Sequence, residues 1–141
     1  MKKILVCGLP GAGKTTLAIE LKKQLQEKGK TVTWLNADDI RHMYLDWDFS
    51  MDGRLRQAKR MKGMSDGYVT DYVICDFVAP TEETRKIFAA DFTIWMATIK
   101  KSEYKDTNKM FEDPSYSDFM VTEKNAVEMA KSFVQHILQL E

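Results

Sequence analysis

The sequence predicts an α/β fold of three layers, with helices on both faces of a mostly parallel, five-stranded sheet. Three observations carry this. Short apolar runs alternate along the chain with segments whose apolar positions recur at helical spacing. The first apolar run ends in a glycine-rich turn that leads directly into one of those helical segments. And at 141 residues the chain is long enough for one domain with a real core and too short for two ordinary ones.

In chain order, Ile4 to Cys7 is an apolar run that suits a central strand. From Lys14 to about Glu27, Leu17, Ala18, Leu21 and Leu25 fall on one helical face, and Gly29 marks the stop. Thr31 to Leu35 is β-branched and apolar, the second strand, and Asn36-Ala-Asp-Asp-Ile-Arg41 follows as a loop entering a helix. Ser50 is placed to cap a basic helix running to about Met64, which carries Arg54, Arg56, Lys59, Arg60 and Lys62. Tyr72 to Phe77 is the third strand, and Thr81, after Pro80, caps the next helix. Asp91 to Ala97 is the fourth strand. Residues 100–117 show no period and are polar, which predicts a long loop or lid. Asp118 to Val121 is a short fifth strand, and Thr122 caps a closing helix with apolar Ala126, Val127, Ala130, Val134, Ile137 and Leu138. No repeat, linker or low-complexity tract interrupts this order, so residues 1–141 read as one domain.

Lys and Arg together number 21, as do Asp and Glu, so the formal net charge is zero. Coating nucleic acid or an anionic membrane favours a basic excess, so neither is expected as the main partner, although a local basic pocket stays open. Cys7 and Cys75 both sit in apolar strands and read as buried thiols of a reducing compartment. No apolar run is long enough to span a bilayer, and none after Met1 has the length of a secretory leader, so the expected location is cytoplasmic.

Gly8-Leu-Pro-Gly-Ala-Gly-Lys-Thr15 satisfies the whole G-x-x-x-x-G-K-[ST] pattern between a strand and a helix. The glycines let the backbone wrap an anion with its N–H groups pointing inward. Lys14 brings a cation to the β- and γ-phosphates, Thr15 a hydroxyl to Mg²⁺, and the helix that follows its positive end. The fold class thereby narrows to a P-loop NTPase domain of nucleoside-kinase-like architecture. Gly8, Leu9, Pro10, Gly11, Ala12, Gly13, Lys14, Thr15 and Thr16 form the expected ATP cradle.

The second cluster leaves the carboxyl end of the second strand, where α/β sheets keep their chemistry. A kinase acting on a hydroxyl needs a carboxylate to orient or deprotonate it and a cation to hold an anionic acceptor. Asp38 and Arg41, three apart, face one pocket if a helix begins there. The plainer alternative makes Asp38 or Asp39 a helix cap and Arg41 a solvated charge. Arg54 is the best candidate from the basic helix, and Arg56 reads as solvated. Asp76 ends an apolar strand, as carboxylates near Mg²⁺ do in many P-loop proteins, or is simply a turn residue. Phe77 beside it stacks on a base or plugs the core.

Asn36-Ala-Asp-Asp-Ile-Arg-His42, Asp48-Phe-Ser50, Asp52-Gly-Arg54, Val73-Ile-Cys-Asp-Phe-Val-Ala-Pro80 and Arg85 together resemble adenylylsulfate (APS) kinases over about two-thirds of the chain. The resemblance implies that Asp38 is the catalytic aspartate beside the acceptor hydroxyl. It also implies that Arg41 and Arg54 grip the acceptor nucleotide and that Phe77 stacks on its adenine. The chain departs from the family pattern at Asn36, Asp76 and Gln57, and its 100–117 segment lacks the family's lid arginine. Lys100, Lys101, Lys105 and Lys109 are the cations that segment offers, without an arginine's bidentate fork. The expectation is an ATP- and Mg²⁺-dependent kinase for a small-molecule or nucleotide-like acceptor, adenylylsulfate first, with a homodimer as one candidate assembly. A nucleoside, a nucleic-acid 5′-hydroxyl or a hydroxymethylpyrimidine is the alternative acceptor. A non-catalytic ATP-binding protein is the alternative class.

Overall fold

The glycine-rich turn sits at the carboxyl edge of a sheet in which every neighbouring pair of strands runs parallel. A computed structural model describes residues 1–141. In chain order the elements are β1 (Lys2–Cys7), α1 (Lys14–Glu27), β2 (Val32–Asn36), α2 (Ala37–Tyr44), α3 (Met51–Asp66) and β3 (Tyr72–Asp76), then α4 (Glu82–Phe88), β4 (Phe92–Met96), α5 (Lys105–Met110), β5 (Phe119–Val121) and α6 (Ala126–Gln139). The sheet order is β2-β3-β1-β4-β5. The expected mostly parallel sheet is therefore wholly parallel.

Alternation along β1 builds two cores from one strand. Ile4 and Val6 face a cluster with Leu17, Leu21 and Leu25 of α1 and Phe133, Val134 and Ile137 of α6. Leu5 and Cys7 face the other side, with Ala58 and Met61 of α3 and Phe88 of α4. Both cysteines are buried and free. Burial pushes the Cys7 thiol up to about 11 and the Cys75 thiol to about 12, so neither is a reactive thiolate.

This layering also places the site. The helix after β1 crosses one face of the sheet and the helix after β3 crosses the other. A crevice therefore opens between the carboxyl ends of these adjacent strands, the switch point at which α/β sheets take ligands. The turn after β1 and Asp76 at the end of β3 flank it.

Most element boundaries fall within two residues of the sequence expectation, and four details differ. The expected loop 100–117 contains a short helix, α5. Six residues give too weak a local signal to see; Asn108 holds the turn by accepting from the Ser102 hydroxyl (2.6 Å), and Arg54 reaches Thr107 (2.8 Å). Thr122 does not cap α6: Asn125 occupies that position, without a side-chain cap bond. Val127 is exposed, and Phe133 takes the expected core role, its ring stacked on Phe119 at 4.2 Å. Finally, β3 ends at Asp76 and leaves Phe77 beyond it. No helix is long and apolar enough to cross a membrane.

We expect Phe133→Ala to lower the unfolding free energy by about 3–5 kcal/mol in urea denaturation, because it opens a cavity between α6 and β5. A loss well below 1 kcal/mol would show that α6 does not depend on this contact.

Candidate active site

The turn after β1 is shaped by close approach. Gly8 has φ 151°, and a Cβ on it would lie 2.7 Å from the Met96 carbonyl oxygen, so β4 leaves no room for a side chain. Gly13, at φ 94°, is the residue before α1 and offers no side-chain cap, which leaves the first N–H groups of the helix free for an anion. Leu9 and Ala12 are buried beneath the turn, and the Thr98 hydroxyl donates to the Ala12 carbonyl (2.7 Å). Lys14 Nζ donates to the Leu9 carbonyl (2.9 Å), and burial pulls this ammonium down to about 8. A cavity of about 450 Å³ opens above, lined by Pro10, Gly11, Gly13, Lys14, Thr15 and Thr16 on this side.

Asp76 closes its floor. Three donors converge on the carboxylate: the Thr15 hydroxyl on Oδ1 (3.1 Å), Asn36 Nδ2 on Oδ1 (3.0 Å) and Trp34 Nε1 on Oδ2 (2.5 Å). Burial pushes this carboxyl up to about 6, against the pull of those hydrogen bonds and of Lys14. The parallel register makes the arrangement unavoidable, since Asn36 on β2 pairs with Asp76 on β3. Asn36 also caps α2, its Oδ1 accepting from the backbone N–H of Asp38 (3.1 Å) and of Asp39 (3.2 Å). Neither aspartate is therefore the cap, and Asp38 is free to line the cavity, as Arg41 does from the next turn. From the sequence Asn36 reads as the start of a loop entering a helix and Trp34 as strand packing; the structure makes both of them donors to Asp76. Asparagine directly before a helix was the available signal for the first, whereas nothing short of sheet register signals the second.

The arginines divide into two kinds. Arg56 and Arg60 pair with Asp46, at 3.0 and 2.6 Å, and Arg56 also with Asp48 at 2.8 Å. Arg56 is thus exposed, as the sequence suggests, and in addition paired. Arg41 and Arg54 are buried and belong to no ion pair. Arg41 donates to the carbonyls of Asp46 (3.0 Å) and Asp48 (3.1 Å), and Arg54 to the Thr107 hydroxyl (2.8 Å). Both guanidiniums lie over the Phe49 ring, at 4.6 and 4.9 Å from its centroid. Burial lowers both, Arg54 to about 10 with Arg41's like charge contributing. Arg54 Nε is buried with no partner. Two desolvated cations that no carboxylate pairs are chemically suited to an anion.

Phe77 lies elsewhere. It is 4% exposed, packs edge-on against Phe88 at 5.4 Å and is absent from the cavity wall. The aromatic side chains on that wall are Phe49 and, from the 100–117 segment, Tyr104. That segment adds Thr107 but none of Lys100, Lys101, Lys105 or Lys109. The cation that does reach the glycine turn from outside is Lys124, 2.8 Å from the Gly11 carbonyl. The far end of the segment is anchored by Arg85, which donates to the carbonyls of Ala79 (2.9 Å) and Glu112 (2.5 Å) and pairs with Glu82 (2.8 Å).

A family model described as adenylylsulphate kinase matches residues 2–114. An adenylyl-sulfate kinase of Bacillus pumilus is 36% identical over 87 residues, which cover 60% of this chain and 44% of that protein. The match thus spans less than half the relative's length. The Mycobacterium tuberculosis APS kinase, solved in complex with AMPPNP and APS, superposes with a TM-score of 0.78 over 96% of each chain at 18% identity. A shikimate kinase from Acinetobacter baumannii superposes with a TM-score of 0.68 over 100% of this chain and 95% of its own, at 16% identity. At such identities the two structures establish the shared fold.

Two outcomes are expected. The folded chain holds the Asp76 proton more tightly than the unfolded chain, whose carboxyl titrates near 3.8, so it binds more protons up to about pH 6. This contribution to stability is present below pH 3.8 and falls away as the pH rises through about 6. Relative to wild type, Asp76→Asn should therefore gain about 2 kcal/mol between pH 4 and pH 7 in denaturant titrations; parallel pH profiles would show that Asp76 does not carry it. The second contrast lies within α3. A Cβ on Gly53 would meet the Asp48 carbonyl oxygen at 2.0 Å, whereas Gly63 has nothing within 4 Å. Gly53→Ala should cost about 1–3 kcal/mol and loosen the loop that anchors Arg41, and Gly63→Ala should add about 0.5–1 kcal/mol. Thermal unfolding of both variants reads the opposite signs.

Proposed function

The chain belongs to the adenylylsulphate kinase family, and on that premise we propose that it transfers the γ-phosphoryl group of MgATP to a hydroxyl of an anionic, nucleotide-like acceptor, with adenylylsulfate the first candidate. The observation that carries this reading is the pair of guanidiniums without a carboxylate partner, Arg41 and Arg54, which both lie over the Phe49 ring in the cavity that also holds the glycine turn and Asp38. Such a set suits an acceptor with both a planar ring and negative charge. The Mycobacterium tuberculosis kinase solved with AMPPNP and APS supports the same choice of ligands.

The triphosphate lies on the free N–H groups of the glycine turn and of the first turn of α1, and Lys14 exchanges the neutral Leu9 carbonyl for the β- and γ-phosphates. Asp38 accepts the hydrogen bond of the acceptor hydroxyl and takes its proton as the new O–P bond forms and the bond to the ADP oxygen breaks. Arg41 and Arg54 hold the acceptor's charge so that the reacting oxygens meet in line. Tyr104 and Thr107 cover the cavity and exclude water. Thr15 and Asp76 would hold Mg²⁺, which when bound draws charge from the phosphate oxygens. The donor set fits: it is all oxygen, and Mg²⁺ binds through one or two carboxylates while keeping water and phosphate as its other ligands.

The test is ADP release from MgATP against a panel of APS, nucleosides, nucleotides, 5′-hydroxyl DNA and hydroxymethylated DNA. We expect turnover with APS. In that reaction Asp38→Asn should lower kcat by about 10²–10⁴-fold while leaving ATP affinity within about threefold. Turnover with a different alcohol would move the acceptor and keep the reaction. Normal turnover in Asp38→Asn would remove the role given to that carboxylate. ATP binding with silence across the panel would make this a nucleotide-binding protein instead.

A further inference from the structure

Residues 122–125, between β5 and α6, arch over the glycine turn from the side away from β2 and β3. Lys124 Nζ donates to the Gly11 carbonyl (2.8 Å), and its stem passes over Gly13, where a Cβ would stand 3.8 Å from Lys124 Cγ and 3.9 Å from Cε. A second cavity, of about 90 Å³, lies there between Thr16, Met96, Val121, Ala126 and Met129. Lys124 is exposed and has no carboxylate partner.

What this cation does follows from the direction of the triphosphate, and so rests on the reading given under Proposed function. In-line transfer points the γ-phosphoryl at Asp38 and Arg41. The α-phosphate and nucleoside must then leave by the opposite end of the turn, over Gly13 and Thr16, where Lys124 lies. The segment 100–117 contributes no cation to the main cavity, and Lys14 is committed to the β- and γ-phosphates, so the α-phosphate has no other positive side chain at hand. The present partner of Lys124 is a neutral carbonyl, and a hydrogen bond to a phosphate oxygen, charged on both sides, is roughly twice as strong. We infer that Lys124 is a nucleotide-binding residue whose ammonium moves from the Gly11 carbonyl to the α-phosphate of ATP, strapping the nucleotide onto the turn from the β5–α6 connection. The apolar walls of the small cavity beside it then receive the edge of the base.

The experiment compares wild type, Lys124→Ala and Lys124→Arg by calorimetric titration with MgATP, ADP, AMP and adenosine. Lys124→Ala should weaken ATP, ADP and AMP alike by about 10- to 100-fold, leave adenosine unchanged and keep the thermal midpoint of the free protein. Lys124→Arg should restore most of the loss. Wild-type affinity in Lys124→Ala, or an equal loss for adenosine, would overturn the inference, the second because it would mark a packing role. If wild type binds nucleotide but transfers phosphate to no acceptor, the proposed reaction falls while the Lys124 result stands. If wild type binds no MgATP, both fall.

Discussion

Asp76 carries a carboxylate out of water at the end of the third strand, and three donors from separate parts of the chain converge on it: a hydroxyl from α1, an amide from the end of β2 and an indole from within β2. Desolvation of this charge is costly, and the combined hydrogen bonds and the nearby Lys14 offset part of it. Because those donors come from two elements, α1 and β2, and the carboxylate from a third, satisfying it fixes their relative positions. Thr15 is held at the start of α1, and Asn36, while donating to Asp76, accepts from the first turn of α2 and sets where Asp38 and Arg41 emerge. One buried charge thus links the glycine turn to the end of the cavity that Asp38 and Arg41 line.

The end of the cavity that holds Arg41 and Arg54 shows the complementary use of charge. The acidic loop at Asp46 and Asp48 satisfies Arg56 and Arg60 with its carboxylates, while its backbone carbonyls alone hold Arg41. A neutral carbonyl positions a guanidinium without cancelling its charge. Arg54 is treated likewise by the Thr107 hydroxyl. The loop approaches α3 closely enough to do this only because residue 53 is glycine. The result is positive potential concentrated in a partly dehydrated cavity on a chain whose formal net charge is zero.

The segment 100–117 is tied at two places. Thr107 meets Arg54 over the cavity, and Glu112 is fixed to α4 through Arg85 and through its own backbone N–H on the Pro80 carbonyl (2.7 Å). The segment thus rests on Arg54, one of the two arginines that line the cavity without a carboxylate partner. The phosphate side has no such contribution from this segment, and the cation found there comes from a different connection altogether.

Much of this was legible in the sequence. The glycine turn with Lys14 and Thr15, the strand–helix alternation and the Asp38–Arg41 spacing are local patterns, and local patterns are set by backbone sterics, periodicity and capping, which act over a few residues. They determined the fold class, the phosphate cradle and the two residues that α2 delivers to the cavity. What required the tertiary structure are contacts between residues distant in the chain. Phe77 and Phe49 are both aromatic residues beside motif positions, and only packing against Phe88 sends the first into the core and leaves the second under two guanidiniums. The same holds for Trp34 on Asp76, Thr107 on Arg54 and Lys124 on Gly11, the last pair 113 residues apart. The sequence by itself determined which chemistry the chain carries; the parallel register and the packing of loops over the sheet decided which side chains surround it, because hydrogen bonds and desolvation depend on distance in space and leave no periodic trace along the chain.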